Sequence, residues 1–91
     1  MKYQIKPSST YKKELKKAFK QGKDLGKLNR IINMLANDET LPPSNRDHQL
    51  TGVYKGFREC HIEPDWLLIY QKEDTELLLY LVRTGTHSEL F

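Results

Sequence analysis

Trp66-Leu67-Leu68-Ile69-Tyr70, then Lys72-Glu73-Asp74-Thr75, then Leu77-Leu78-Leu79-Tyr80-Leu81-Val82 is the stretch whose reading decides the fold class. Two continuous apolar runs separated by a polar tetrad predict a β-hairpin of central strands, covered on both faces or crowded on one. Upstream, Val53–Phe57 and Arg58–Ile62 read as a half-polar strand segment bent at Gly56 and ended by Pro64. Residues 38–52 hold Pro42-Pro43, Asn45, Asp47 and Gly52 and form a loop. Earlier still the period changes to that of a helix. Tyr11, Leu15, Ala18 and Phe19 make one helical stripe, capped by Ser8 or Ser9 and ended at Gln21-Gly22-Lys23. Leu28, Ile31, Ile32 and Leu35 make a second stripe behind an Asp24 cap, running out near Asn37-Asp38. Tyr3-Gln4-Ile5-Lys6 alternates and stops at Pro7, a short strand. The order is β-α-α-β-β-β. It predicts an α+β fold, a small antiparallel sheet with an N-terminal helical hairpin on one face, as one domain over residues 1–91.

Charge is unevenly placed. Residues 1–30 carry ten Lys or Arg against Glu14 and Asp24, a balance of +8, while residues 31–91 stand at −5, giving the net +3. A basic first third attracts polyanions through long-range electrostatics, so RNA, DNA or an acidic protein partner fits it; the plainer alternative is a helix face solvated by lysines. No apolar run approaches the roughly 20 residues of a membrane span, and the N-terminus lacks a signal-peptide core, so a cytoplasmic location is expected. The single Cys60 excludes an internal disulfide and a multi-cysteine zinc site, and reads as a small apolar residue beside His61.

The chemistry-bearing residues are His48, His61 and His87. Histidine titrates nearest neutrality and serves as general acid or base. Their separations of thirteen and twenty-six residues match no short metal-ligand spacing, and no nucleophile elbow or Cys-His signature is present. No metal or cofactor is therefore expected. Strand alternation places Leu77, Leu79, Leu81 and Arg83 on one face, ending an apolar row with a guanidinium suited to a phosphate. The loop at Asp47-His48, the strand end at His61 and Asp65, and the turn Thr84-Gly85-Thr86 before His87 are all expected at one sheet edge, bringing His48, His61, Asp65, Arg83 and His87 together. Imidazoles and a guanidinium can cleave RNA without metal, because the 2′-hydroxyl is the nucleophile. Trp66 and Phe91 are expected to stack on bases, and Lys55 and Arg58 to bind the substrate. Each residue also has a plainer reading: solvated loop for His48, strand edge for His61, core for Trp66, a surface pairing with Glu59 or Glu63 for Arg58.

The strings Asp47-His48-x-Leu50-x-Gly52, Lys55 to Tyr70 and Arg83-x-Gly85-x-His87-Ser88-x-Leu90-Phe91 resemble the YafQ branch of the RelE/ParE toxin superfamily along essentially the whole chain. The resemblance implies a toxin of a type II toxin–antitoxin system, an endoribonuclease that cuts mRNA in the ribosomal A site. It implies an active site formed or lined by His48, His61, Asp65, Trp66, Arg83, His87 and Phe91. His87 would be the general acid, and His48 or His61 the base or a phosphate-positioning group. Asp65 would orient an imidazole, Arg83 stabilise the phosphorane and Phe91 contact a base. The implied partners are a cognate antitoxin, the ribosome and its mRNA, and operator DNA only indirectly through the antitoxin; no membrane is involved. Two alternatives remain from other classes: a non-catalytic gyrase inhibitor like those of the ParE branch, and a basic RNA- or ribosome-binding module.

Overall fold

The computed structural model describes residues 1–91. Strand β1 (Gln4–Pro7) leads into helices α1 (Ser9–Lys20) and α2 (Leu25–Ala36). Then follow β2 (His48–Gln49), β3 (Arg58–Glu63), β4 (Trp66–Glu73), β5 (Leu78–Gly85) and a terminal helix α3 (His87–Leu90). The sheet order is β1-β5-β4-β3-β2. Four consecutive strands, β2 to β5, pair antiparallel, the last two connections being tight turns and the first the 50–57 loop, but β1 joins the edge of β5 in parallel, with Gln4 opposite Leu78. The sheet is therefore mixed rather than wholly antiparallel. No turn links β1 to its partner, so its direction is set by the two helices and the loop between them rather than by a local signal.

Helices α1 and α2 start at Ser8 and Asp24, whose side chains accept from Tyr11 N–H and Gly26 N–H. Their inward stripes pack on one sheet face: Tyr11, Ala18, Leu28, Ile31, Ile32 and Leu35 meet Cys60, Ile62, Trp66, Leu68, Tyr70, Leu79 and Leu81. Phe19, expected in that stripe, is 69% exposed. The opposite sheet face carries a smaller cluster of Leu67, Ile69 and Leu90, ringed by Leu50, Tyr54, Phe57 and Val82. This explains the unbroken apolar run of β4. Its alternate residues serve the helices on one side and α3 with the 50–57 loop on the other, so all five residues from Trp66 to Tyr70 are buried. Burial of each such side chain contributes about 1.5–3 kcal/mol.

Three local readings are corrected. The segment expected as a strand at Val53–Phe57 is a one-turn 3₁₀ helix at Gly52–Tyr54, between Gly52 and Gly56 at φ 67° and 95°. Leu77 lies in the turn at φ 57° rather than in β5. The residues after Gly85 form α3, closed by a reciprocal cap in which Thr86 Oγ1 accepts from Glu89 N–H and Glu89 accepts from Thr86 N–H.

Candidate active site

Antiparallel register builds the first half of the site. His48 stands opposite Glu59, and His61 opposite Leu67, so His48, Glu59 and His61 share the face of Leu67 and Ile69, away from α1 and α2. Both imidazole Nε2 atoms lie 3.5 Å from Glu59 Oε1, and the two rings are 6.4 Å apart. Each Nδ1 meets a backbone carbonyl, Arg46 O at 2.6 Å for His48 and Pro64 O at 3.2 Å for His61. A carbonyl only accepts, so both Nδ1 atoms are donors, and each Nε2 faces Glu59 Oε1. The Glu59 side chain is 3% exposed, and its Oε2 has no hydrogen-bond partner. A buried carboxylate flanked by two imidazoles is placed to orient them, and the more exposed rings, His48 above all, are the groups a substrate hydroxyl can reach.

A bulge builds the second half. Ile69 pairs with Arg83 while Tyr70 pairs with Leu81, which leaves Val82 as the extra residue on β5. Side-chain alternation is thereby reset. Arg83 does not share a face with Leu79 and Leu81, as simple alternation predicts, but turns to the histidine face alongside Ile69. Its Nε and Nη2 donate to the two Glu14 oxygens at 3.3 and 2.7 Å, and its Nη1 donates to the Tyr54 hydroxyl at 3.1 Å. Those contacts, Glu14 first, hold the guanidinium above its ordinary pKa and permanently charged.

Helix α3 completes the arrangement. Leu90 is buried against Leu67 and Ile69, which sets exposed His87 and Phe91 over the same face. The His87 and Phe91 rings are 5.2 Å apart, and Phe91 meets Tyr54 edge-on at 5.5 Å. Across the sheet, His61, Leu67 and Gly85 stand in one row. At two strand spacings, the histidine pair and the start of α3 are about 10 Å apart, room for a phosphodiester between them.

His48, His61, Arg83, His87 and Phe91 thus converge as the sequence suggested, and three other expectations change. Trp66 is 1% exposed in the main core, its Nε1 donating to Thr84 Oγ1, so it cannot stack on a base. Arg58 pairs with Tyr70 on the helix-facing side of the sheet and donates to Asp47 at 3.3 Å, so it does not line this face. Asp65 accepts from the His87 backbone N–H at 3.0 Å; it anchors α3 rather than orienting a ring. Lys55 is exposed on the 52–57 loop. The sequence reading missed Glu59, although its i, i+2 relation to His61 in a strand was the available signal. It also missed Tyr54 and Glu14. No group of three or more His, Cys, Asp or Glu side chains is arranged to hold a metal ion, and this includes His48–Glu59–His61.

Residues 3–91 match the family described as the bacterial toxin of the type II toxin–antitoxin system, YafQ. The chain belongs to the YafQ toxin family. It is 46% identical over 88 residues to the mRNA interferase toxin YafQ of Escherichia coli K12, covering 96% of this chain and 94% of that one. Among solved structures it superposes on YafQ in the Escherichia coli DinJ–YafQ toxin–antitoxin complex with TM-score 0.89 at 43% identity, over 100% and 99% of the two chains. A metal-bound toxin from Helicobacter pylori gives TM-score 0.93 at 46% identity, over 98% and 99%. The protein is an mRNA interferase, an endoribonuclease, which sets the enzyme reading above the two non-catalytic alternatives. As a YafQ toxin it has no helix long and apolar enough to cross a membrane.

Proposed function

We propose that this YafQ toxin cleaves mRNA in the ribosomal A site by general acid–base catalysis without a metal, and that a cognate antitoxin holds it inactive in the cytoplasm. The observation that carries the reading is the joint placement of His48, Glu59, His61, Arg83 and His87 on one sheet face. His48 or His61, held from behind by buried Glu59, accepts the proton of the 2′-hydroxyl. The freed oxygen attacks phosphorus, and the Arg83 guanidinium opposes the charge that grows on the phosphoryl oxygens. His87 protonates the departing 5′-oxygen, leaving a 2′,3′-cyclic phosphate and a 5′-hydroxyl. Phe91, braced by Tyr54, contacts a base, and Lys55 meets the backbone. Asp65 contributes by fixing the first turn of α3 through the His87 N–H. The ten Lys and Arg of residues 1–30 suit both ribosomal RNA and an acidic antitoxin segment, and operator DNA would be engaged only through the antitoxin. This inherits the DinJ–YafQ pairing from the related complex.

The test is to induce wild type and His87→Ala in cells and map mRNA 5′ ends alongside plasmid supercoiling, then repeat cleavage on purified ribosomes with chelators selective for zinc and copper. Cuts phased to codons in the wild type, absent in the variant and resistant to chelation, are expected. Intact mRNA during growth arrest, or strict dependence on added zinc or copper, would overturn the reading.

A further inference from the structure

Helix α1 contains five lysines and a single acid, Glu14. On a strongly basic helix a lone glutamate would ordinarily face solvent beside a lysine. Glu14 instead has only 17% of its side chain exposed and receives three donors: Arg83 Nε, Arg83 Nη2 and the Thr84 backbone N–H at 3.2 Å. The backbone explains why a carboxylate is needed there. Strand β1 covers β5 only as far as Pro7 opposite Leu81, and Ser8 takes over by donating its hydroxyl to Val82 O at 2.7 Å. Beyond that point the edge of β5 has no strand, and Glu14 Oε1 fills the place of the missing carbonyl at Thr84. The same carboxylate grips the guanidinium side-on. Three of the five guanidinium N–H groups are engaged by Glu14 and Tyr54, which leaves two free to donate to an anion.

We infer that Glu14 is the positioning residue for Arg83: from the first helix it locks the guanidinium so that its two free N–H groups meet the scissile phosphate. It touches no substrate and acts only through Arg83. The inference rests on the phosphate-stabilising role proposed for Arg83. A flexible arginine on a bulged, unpaired strand edge would sample many rotamers. The bidentate fork removes that freedom before the substrate arrives, and pre-organised charge is what transition-state stabilisation requires. The neutralising carboxylate also weakens Arg83 as a ground-state anion binder, so Glu14 is expected to favour turnover over affinity.

The decisive experiment is a double-mutant cycle on the full toxin, measured as single-turnover cleavage of ribosome-bound mRNA, with thermal midpoints recorded for every variant. Arg83→Ala is expected to slow cleavage about 10²–10³-fold, the range of one lost transition-state donor. Glu14→Ala is expected to slow it about 10- to 10²-fold, with an unchanged or lower KM. Glu14→Gln keeps an acceptor for Thr84 N–H and the fold with it, and is expected to fall between. In the Arg83→Ala background, Glu14→Ala should have almost no further effect on rate. Equal losses in both backgrounds, or wild-type rates for both Glu14 variants beside an impaired Arg83→Ala, would overturn the inference alone. A wild-type rate for Arg83→Ala would overturn the role of Arg83, and the inference with it.

Discussion

Replacing Glu59 with methionine is expected to move stability and activity in opposite directions. The carboxylate is almost fully enclosed, and its Oε2 has no hydrogen-bond partner. A buried polar atom left unpaired costs about 1–3 kcal/mol. Methionine has the same reach, removes that atom and leaves each imidazole its backbone partner, Arg46 O for His48 and Pro64 O for His61. For a domain of this size each kcal/mol is about 4–8 °C at the midpoint, so Glu59→Met should melt several degrees above wild type. Its cleavage rate should fall about 10- to 10²-fold, as His48 and His61 lose the group that orients them. Glu59→Gln keeps the shape without the charge and should lose the same rate with a smaller change in melting. Thermal denaturation followed by circular dichroism, together with single-turnover cleavage, reads both effects. A Glu59→Met protein that melts lower and still cuts at close to the wild-type rate would refute the reasoning, since Glu59 would then be a structural residue.

Thr86→Ala removes the cap of α3 and should cost about 1 kcal/mol, seen as faster amide exchange in residues 87–91 and slower cleavage as His87 and Phe91 loosen; unchanged exchange would contradict the cap's role. Trp66→Ala should lose about 3–5 kcal/mol through a core cavity, whereas Trp66→Phe should still cut mRNA; a folded Trp66→Phe protein with weakened RNA binding would restore Trp66 as a stacking platform. Glu89, held down at about 2 by the Lys17 ammonium and then by the Thr86 N–H, has a folded pKa below its unfolded value of 4.5. Its stabilisation is therefore present above about pH 4.5 and lost as pH falls toward 2, so Glu89→Gln should flatten the stability–pH curve in that window. An unchanged slope in urea titrations would show that the pair contributes nothing.

The helices and central strands were legible because their signals are local. Leu28, Ile31, Ile32 and Leu35 repeat at helical spacing, Ser8 and Asp24 are caps in sequence and in space, and the β4–β5 hairpin follows from two apolar runs and a polar tetrad. What alternation could not show was the bulge at Val82, which moves Arg83 to the other face through one extra residue whose presence depends on pairing with β4. The parallel docking of β1 depends on a strand more than 70 residues away and leaves no trace beside Tyr3–Lys6. Helix α3 was legible in principle, since Thr86-His87-Ser88-Glu89 has the spacing of a capping box, but four residues give no periodicity to read. The histidines announced themselves by type. Glu59 did not, because an acid in a strand between an arginine and a cysteine looks like a surface residue until β2 folds His48 over it. Phe19 erred in the other direction: it continues the α1 stripe, but lies too far round the helix to reach the sheet.

The most direct measurement is cleavage of a ribosome-bound mRNA carrying a single 2′-deoxyribose on the 5′ side of the mapped cut, compared with the all-ribose message. Acid–base chemistry by His48, His61 and His87, with Glu59 orienting the rings and Arg83 opposing the phosphoryl charge, needs that hydroxyl as its nucleophile. The modified message should therefore remain uncut at that bond, while the unmodified one yields a 2′,3′-cyclic phosphate and a 5′-hydroxyl. Cleavage of the deoxy-substituted bond at a comparable rate would contradict this, because an external nucleophile would then be doing the work assigned to the substrate.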